Sequence, residues 1–352
     1  MRIPVYSLLY NKQAKIDNNH CKIIYTYSMI RLISSHTESN YKVSSLSCIT
    51  ERRMNMQQNR TFGLMAAFGC YALWGILPLY WHLLAEAEAN EILAHRILWS
   101  VVFMLVVIAA TRRWPVLKTD CRGLWQNKKR GAMLVAAAVI ISMNWLVYIW
   151  AVNHNHVIDT SIGYYINPLV NVLFGVAIFG ETLSAPKKLS IALAAVGIFL
   201  MTWQIGKLPW VSVALAITFG SYGALKKKLK LDPFTSITLE TLLLFPFAFY
   251  YVANLTAAGA AHFGPATPLL SLLLAGCGVA TAVPLILFSY GANLLPLNVL
   301  GFFQYISPSM TLLLGIFFFN EPFGITQFFT FGFIWLALLV FTVSEWRASH
   351  IK

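Results

Sequence analysis

The chain has 352 residues, of which 58% are apolar and only 11% are charged. Soluble domains carry about 25% charged residues, so this is the composition of a membrane protein and excludes a large soluble core. The formal charge of +13 does not point to nucleic acid, because Lys and Arg stand in short clusters between long apolar runs, whereas a basic groove needs a soluble surface to carry it.

Residues 1–55 are polar and mildly basic, and they lack an apolar run long enough for a signal-peptide core. They read as a disordered extension or, because Met54 and Met56 directly precede the first apolar run, as a product of start-site choice; a regulatory or targeting arm is the functional alternative. From Phe62 onward come ten candidate spans, at 62–84, 91–111, 131–153, 160–180, 188–206, 209–226, 235–254, 269–292, 299–319 and 326–346. Each has about the 17 to 25 residues that a helix needs to cross the hydrocarbon core. Gly206 to Pro209 gives the turn between the fifth and the sixth.

Lys and Arg set the orientation. The second connection holds Arg112, Arg113, Lys118, Arg122, Lys128, Lys129 and Arg130, the fourth Lys187 and Lys188, and the sixth Lys226, Lys227, Lys228 and Lys230. The odd connections hold only Lys207, so both termini and the even connections are expected in the cytoplasm.

The stretch Thr160 to Glu181 recurs 140 positions later as Leu300 to Glu321. Tyr165, Ile166, Pro168, Leu173, Gly175, Phe179 and Glu181 fall on Tyr305, Ile306, Pro308, Leu313, Gly315, Phe319 and Glu321 without a gap. An internal duplication explains this most simply, with 56–206 as a first five-helix repeat and 207–352 as a second. Five is odd, so the second repeat enters from the opposite face. The expected fold is all-α and integral to the membrane, with ten transmembrane helices as two inverted repeats, an arrangement typical of secondary transporters.

Thr160, Tyr164, Asn167 and Asn171 are spaced by 4, 3 and 4 and share one helix face; their counterparts are Leu300, Gln304, Ser307 and Thr311. Interhelical hydrogen bonding accounts for any one of them, but the recurrence of the stripe beside Pro168 and Pro308 favours a solute cavity with those prolines as hinges. Glu91 and His95, at i and i+4, share one face at the start of the second span, and Arg96 lies more than a turn inside it. They are candidates to bind an anionic or zwitterionic group or to couple transport to protons, with Arg96 snorkelling to the interface as the structural alternative. Glu240, the counterpart of Glu91, is a second coupling candidate. Glu181 and Glu321 close their helices and read as capping or gate groups ahead of proton carriers. Asn144, Trp74 and Trp145 lie toward the middle of their spans, where the indoles provide helix packing or an aromatic wall for a planar solute. Gly163, Gly175, Gly301 and Gly315 are read as packing residues.

Cys21, Cys48, Cys70, Cys121 and Cys277 are scattered, and His82, His95, His154 and His156 lack ligand spacing, so neither a disulfide framework nor a metal site is expected, and no cofactor is implied. No GxxxxGK[ST] occurs, which argues against ATP-driven pumping by this chain alone. An intramembrane enzyme acting on a lipid would need a cluster of catalytic groups, and the ten ranges contain no Asp and only isolated His. A non-transporting scaffold is the other alternative.

The segments ALWGILPLY, NEILAHRILWS, NWLVYIWAVNH, SIGYYINPLVNVLFGVAIFGE and LGFFQYISPSMTLLLGIFFFNE together resemble the EamA-type transporters of the drug/metabolite transporter superfamily, and among them the RarD group of chloramphenicol-sensitive proteins. The resemblance runs from Met56 to the end. It implies a plasma-membrane permease for a small organic solute, drug or metabolite. It also implies a central cavity among helices one to four and six to nine, with helices five and ten peripheral, and gating by the inverted repeats. Export is the expected direction and protons a candidate coupling ion, while the substrate is left open.

Overall fold

A computed structural model describes residues 38–153, 157–206, 210–318 and 324–350. Two compact units divide at Asn59 and Arg60. All contacts below belong to the second, Arg60–Lys352. Helix α1 spans Glu38–His82, α2 Ala89–Ala110, α3 Trp114–Gln126, α4 Lys128–Asn153, α5 Val157–Phe179 and α6 Ala185–Ile205. The second half comprises α7 Trp210–Leu229, α8 Pro233–Ala257, α9 Pro268–Leu294, α10 Leu297–Phe303, α11 Ile306–Phe317 and α12 Ile325–His350.

Local chemistry fixes the ends that matter for the site. Asp232 caps α8, accepting the N–H groups of Phe234 and Thr235 at 3.1 and 3.2 Å, and Pro233 follows where no N–H is needed. The same carboxylate takes Arg113 Nη1 at 2.8 Å, tying the end of α2 to the start of α8. Gly180, at φ 62°, ends α5 in the left-handed region. Gly180 N–H donates to Val176 O, the single bond of an αL cap, and Glu181 N–H donates to Gly175 O, so Glu181 swings back along its own helix.

The two sequence halves interleave. Helix α2 packs on α8 and α9, α4 on α7, α5 on α7 and α10, and α6 on α12. Small residues set the closest approaches. A Cβ on Gly278 of α9 would collide with the Trp99 carbonyl and the Ser100 nitrogen of α2, while one on Gly163 would lie 3.0 Å from Ser212 O and one on Gly301 3.0 Å from Pro168 O. Outward-facing side chains such as Phe247, Leu269, Leu272 and Trp203 stay at least 70% exposed, an apolar belt of the kind that lipid covers.

Among the described residues, helical segments fall within each of the ten predicted ranges. Among the described residues six helical stretches are long and apolar enough to cross a membrane: Gln58–His82, Ala89–Ala110, Lys128–Tyr148, Pro233–Ala257, Pro268–Leu294 and Leu297–Leu314; Gly163–Phe179 and Phe331–Ser344 are shorter apolar helices. Several expectations change in detail. The ninth range is not one helix, because the α-helix is interrupted at Gln304 and Tyr305. Pro308 explains the place: its ring excludes the carbonyl of the residue four before it, which is Gln304. Pro168, its counterpart, stays inside the unbroken α5. The second basic connection contains a helix, α3, and residues 38–55, expected to be disordered, belong to α1. No Pro or Gly interrupts the chain there. Helix α5 begins at Val157 rather than 160 and so includes Asp159.

Candidate functional site

Arg96 is the centre of the first group. Helix α2 places it about 10 Å along the axis from the helix start, half-buried, where a bare charge facing lipid would cost about 2.5 to 3.5 kcal/mol. Its Nε donates to Thr281 Oγ1 of α9 at 3.0 Å, and its guanidinium carbon lies 5.1 Å from the ring of Trp81 and 5.3 Å from that of Trp145. These are cation–π distances to two electron-rich faces. The Tyr148 and Tyr164 rings, 6.1 Å apart, lie within electrostatic reach of Arg96 and are each 37% exposed. Among the described residues no carboxylate pairs with Arg96.

Trp145 also borders the second group. A cavity of about 10 Å³, enough for one water, is lined by Trp145, Tyr222, Glu240, Thr241 and four aliphatic side chains. Glu240 is buried and fully partnered: Oε1 accepts from Lys226 Nζ at 2.6 Å and from Ser236 Oγ at 2.8 Å, and Oε2 accepts from the Tyr222 hydroxyl at 2.8 Å. Lys226 Nζ also donates to Ser236 Oγ at 2.7 Å. Lys226 is 3% exposed, so it does not belong to the solvated cytoplasmic cluster in which sequence spacing put it. Beyond it, Tyr222 stacks on Phe288 at 5.8 Å, and Trp74 packs on Tyr71, Phe219 and Phe288; Trp74 is therefore part of an aromatic core rather than the wall beside Arg96.

Two carboxylates hold opposite ends of the bundle. At the α5, α7 and α9 C-termini, Glu181 accepts the backbone N–H groups of Leu297 and Asn298 at 2.6 and 2.9 Å, with Lys227 Nζ at 3.4 Å. Lys227 Nζ also donates to Leu295 O at 2.5 Å. Gly175 makes room, since a Cβ there would lie 2.5 Å from Glu181 Oε2. Glu181 thus caps the start of α10. At the other end, Glu91 is fully buried and accepts His262 N–H at 2.8 Å, with His262 Nδ1 2.7 Å from its second oxygen. His95 Nε2 stands 4.0 Å from Glu91, and its ring stacks on Phe263 at 4.9 Å. Glu91 and His95 therefore belong to the α8–α9 loop contact, and Arg96 faces elsewhere.

The polar stripe does not line one open cavity. Asn171 Nδ2 donates to Gln304 Oε1 at 2.8 Å in a buried contact between the two repeat copies, and Asn167 and Thr160 are also buried. Asn144 Nδ2 donates to Leu215 O and Thr218 Oγ1 at 3.1 and 2.8 Å, an interhelical bond. Only Tyr164 of the first copy is exposed; in the second, Ser307 is half-buried and Thr311 exposed. Glu321 lies outside the described residues.

The sequence has counterparts among known proteins. The EamA-like transporter family matches residues 61–203. The uncharacterized transporter YojE of Bacillus subtilis is 44% identical over 286 residues, which is 79% of this chain and 93% of that protein. The chain belongs to the EamA-type transporters of the RarD group. Protein RarD of Escherichia coli is 39% identical over 82% of this chain and 96% of its own, and the chloramphenicol-sensitive protein RarD of Pseudomonas aeruginosa is 29% identical over 82% of this chain and 95% of its own. A solved crystal structure covering 81% of this chain and 98% of its own superposes with a TM-score of 0.63 at 15% identity, a likeness of fold.

In this EamA-type transporter, sequence reading missed Trp81, Thr281, Lys226, Ser236 and His262. Lys226 stands in a run of three lysines that looks like a topology signal, and Trp81 and Thr281 meet Arg96 only through helix packing. Tyr148 did carry a signal, since it is aligned with Phe288 in the repeat register.

Proposed function

We propose that this protein is a secondary transporter that moves a small organic solute across the plasma membrane by alternating access, in the export direction, through ten transmembrane helices arranged as two inverted repeats with both termini cytoplasmic. One observation supports the reading: several of the helix contacts recur under exchange of the two halves. The contact of α5 with α7 is matched by α1 with the α11 region, where Gly75 approaches Ser307 and Met310; that of α2 with α9 is matched by α8 with α4. The contacts α2 with α8, α5 with α10 and α6 with α12 are each their own counterpart. A two-fold exchange of this kind lets each half adopt the other's conformation and so opens a central site to either face. Names of relatives that include the word transporter agree with it. Arg96, Trp145, Tyr148 and Tyr164 are the proposed solute contacts, Glu240 and Glu91 the proposed coupling groups, and Pro308 the proposed hinge.

The test is flux in proteoliposomes. Purified protein is reconstituted, and uptake and efflux of a panel of metabolites and drugs are followed with and without a pH gradient. Saturable flux supports a carrier; an absence of flux for every compound in both directions sinks the reading.

A further inference from the structure

Arg96 carries an incomplete charge arrangement. Among the described residues, other basic side chains have a carboxylate beside them: His262 and His95 have Glu91, Arg113 has Asp232, Lys226 has Glu240 and Lys227 has Glu181. Arg96 has instead one hydroxyl on Nε and two indole faces, and among the described residues neither of its Nη groups has an acceptor. Thr281 holds Nε, so the free edge is the end-on pair of Nη1 and Nη2. That edge presents two parallel N–H groups, which match the two oxygens of a carboxylate in one plane. A tetrahedral dianion would call for a second cation, and the buried Lys226 is already consumed by Glu240, Ser236 and the face of Tyr222. Aromatic rings surround this region: Trp81 and Trp145 stand against the guanidinium, and Tyr148 and Tyr164, each 37% exposed, lie within its electrostatic reach.

We propose that the solute is a singly charged organic anion in which a carboxylate is attached to a flat ring, the carboxylate engaging the two Nη groups of Arg96 and the ring lying on Tyr148, Tyr164 and Trp145. This rests on the transport reading and narrows it to a substrate class. The solute then supplies the counter-charge that the fold withholds. An empty Arg96 keeps an unpaired charge inside the bundle, whereas a loaded one is neutralised, so occupancy changes the electrostatic cost of enclosing the site. Thr281 acts as a positioning residue by fixing which edge of the guanidinium is offered.

Binding tests this without flux. The full chain in detergent is titrated with benzoate and with benzamide, its neutral isostere, and quenching of tryptophan fluorescence is followed, with W81F and W145F locating the signal. Benzoate is expected to quench saturably and to bind at least about tenfold more tightly than benzamide, a difference of about 1.4 kcal/mol. R96Q should remove that preference and leave benzamide unchanged. R96K, which keeps the charge and loses the planar fork, should fall between, and it serves if R96Q fails to fold. The proposal is overturned if benzoate shows no saturable binding, if benzamide binds as well as benzoate, or if R96K and R96Q bind benzoate like the unaltered protein. Binding of benzoate in a protein that passes no solute in proteoliposomes would overturn transport alone, and flux of neutral solutes with no anion preference would overturn the anion site alone.

Discussion

The Lys226 ammonium lies 2.6 Å from Glu240 Oε1, and Ser236 joins the same two groups. Both side chains are at most 5% exposed. A buried pair of this kind is held by its completeness: each charge offsets the desolvation of the other, and removing one leaves a charge without a partner.

E240Q and K226M should therefore each destabilise the protein by about 3 to 5 kcal/mol, read as a large fall in the thermal unfolding midpoint in detergent. The double variant K226M/E240M, which removes both charges at once, should recover most of that loss. If the double variant is also active in proteoliposomes, Glu240 is a structural ion and not a coupling group. A double variant no more stable than either single one would show that the pair does not act as a unit.

Glu240 was legible in the sequence as a lone carboxylate within an apolar run, but its partner was not. Lys226 sits among Lys227 and Lys228, and at that spacing a lysine reads as part of a cytoplasmic cluster. What brings it inward is the turn at the Asp232–Pro233 cap, after which residues 236 and 240 meet residue 226. Arg96 was likewise legible from its depth in the helix, whereas Trp81 and Thr281, 15 and 185 positions away, reach it by tertiary packing that periodicity does not encode. The helices were readable because twenty-residue apolar runs have few alternatives in a membrane. The stripe misled because a polar face in an apolar helix fits a cavity and a buried hydrogen bond equally well, and Asn171 with Gln304 took the second course.

Glu181 offers a test of how the two halves are fastened. E181A removes the acceptor of two backbone N–H groups and the partner of Lys227. The expected cost is about 1 to 3 kcal/mol, and cysteines placed in the 295–298 segment should become more reactive toward a polar maleimide. Gly175→Ala should reproduce the effect, because its added methyl occupies the space of the Glu181 carboxylate. Unchanged labelling in both variants would show that this end does not depend on Glu181.

Gly278 separates packing from chemistry. Its backbone touches that of α2 at Trp99 and Ser100, and Ser100 Oγ donates to Gly278 O at 3.2 Å. Gly278→Val would have to push the two helices apart, at a cost of about 1 to 3 kcal/mol, and would carry Thr281 away from Arg96. Benzoate binding and thermal stability should fall together, unlike in R96Q, where binding falls and the packing is left in place. A stable Gly278→Val protein with intact binding would mean that α2 and α9 need not touch at this point.

The last expectation concerns the opposite end of the bundle. Glu91 holds His262 through both a backbone N–H and the ring, and Phe263, next in the chain, covers His95. The polar anchor of the loop from Ala258 to Thr267 on α2 is thus the Glu91 carboxylate. E91Q keeps the shape but replaces one oxygen by an amide nitrogen that cannot accept, so one of the two contacts is lost; E91A loses both. Amide hydrogen exchange at residues 260–264 should accelerate in E91Q and more in E91A, while exchange in α4 and α7, which this anchor does not touch, stays as it was. H262A removes only the ring contact and should resemble E91Q. If H262A exchanges like the unaltered protein while E91Q opens the loop, the backbone N–H of His262, rather than its imidazole, is what Glu91 grips. If neither variant changes exchange at 260–264, the loop is held by Thr267 and Ser271, whose hydroxyls donate to His262 O and Gly264 O.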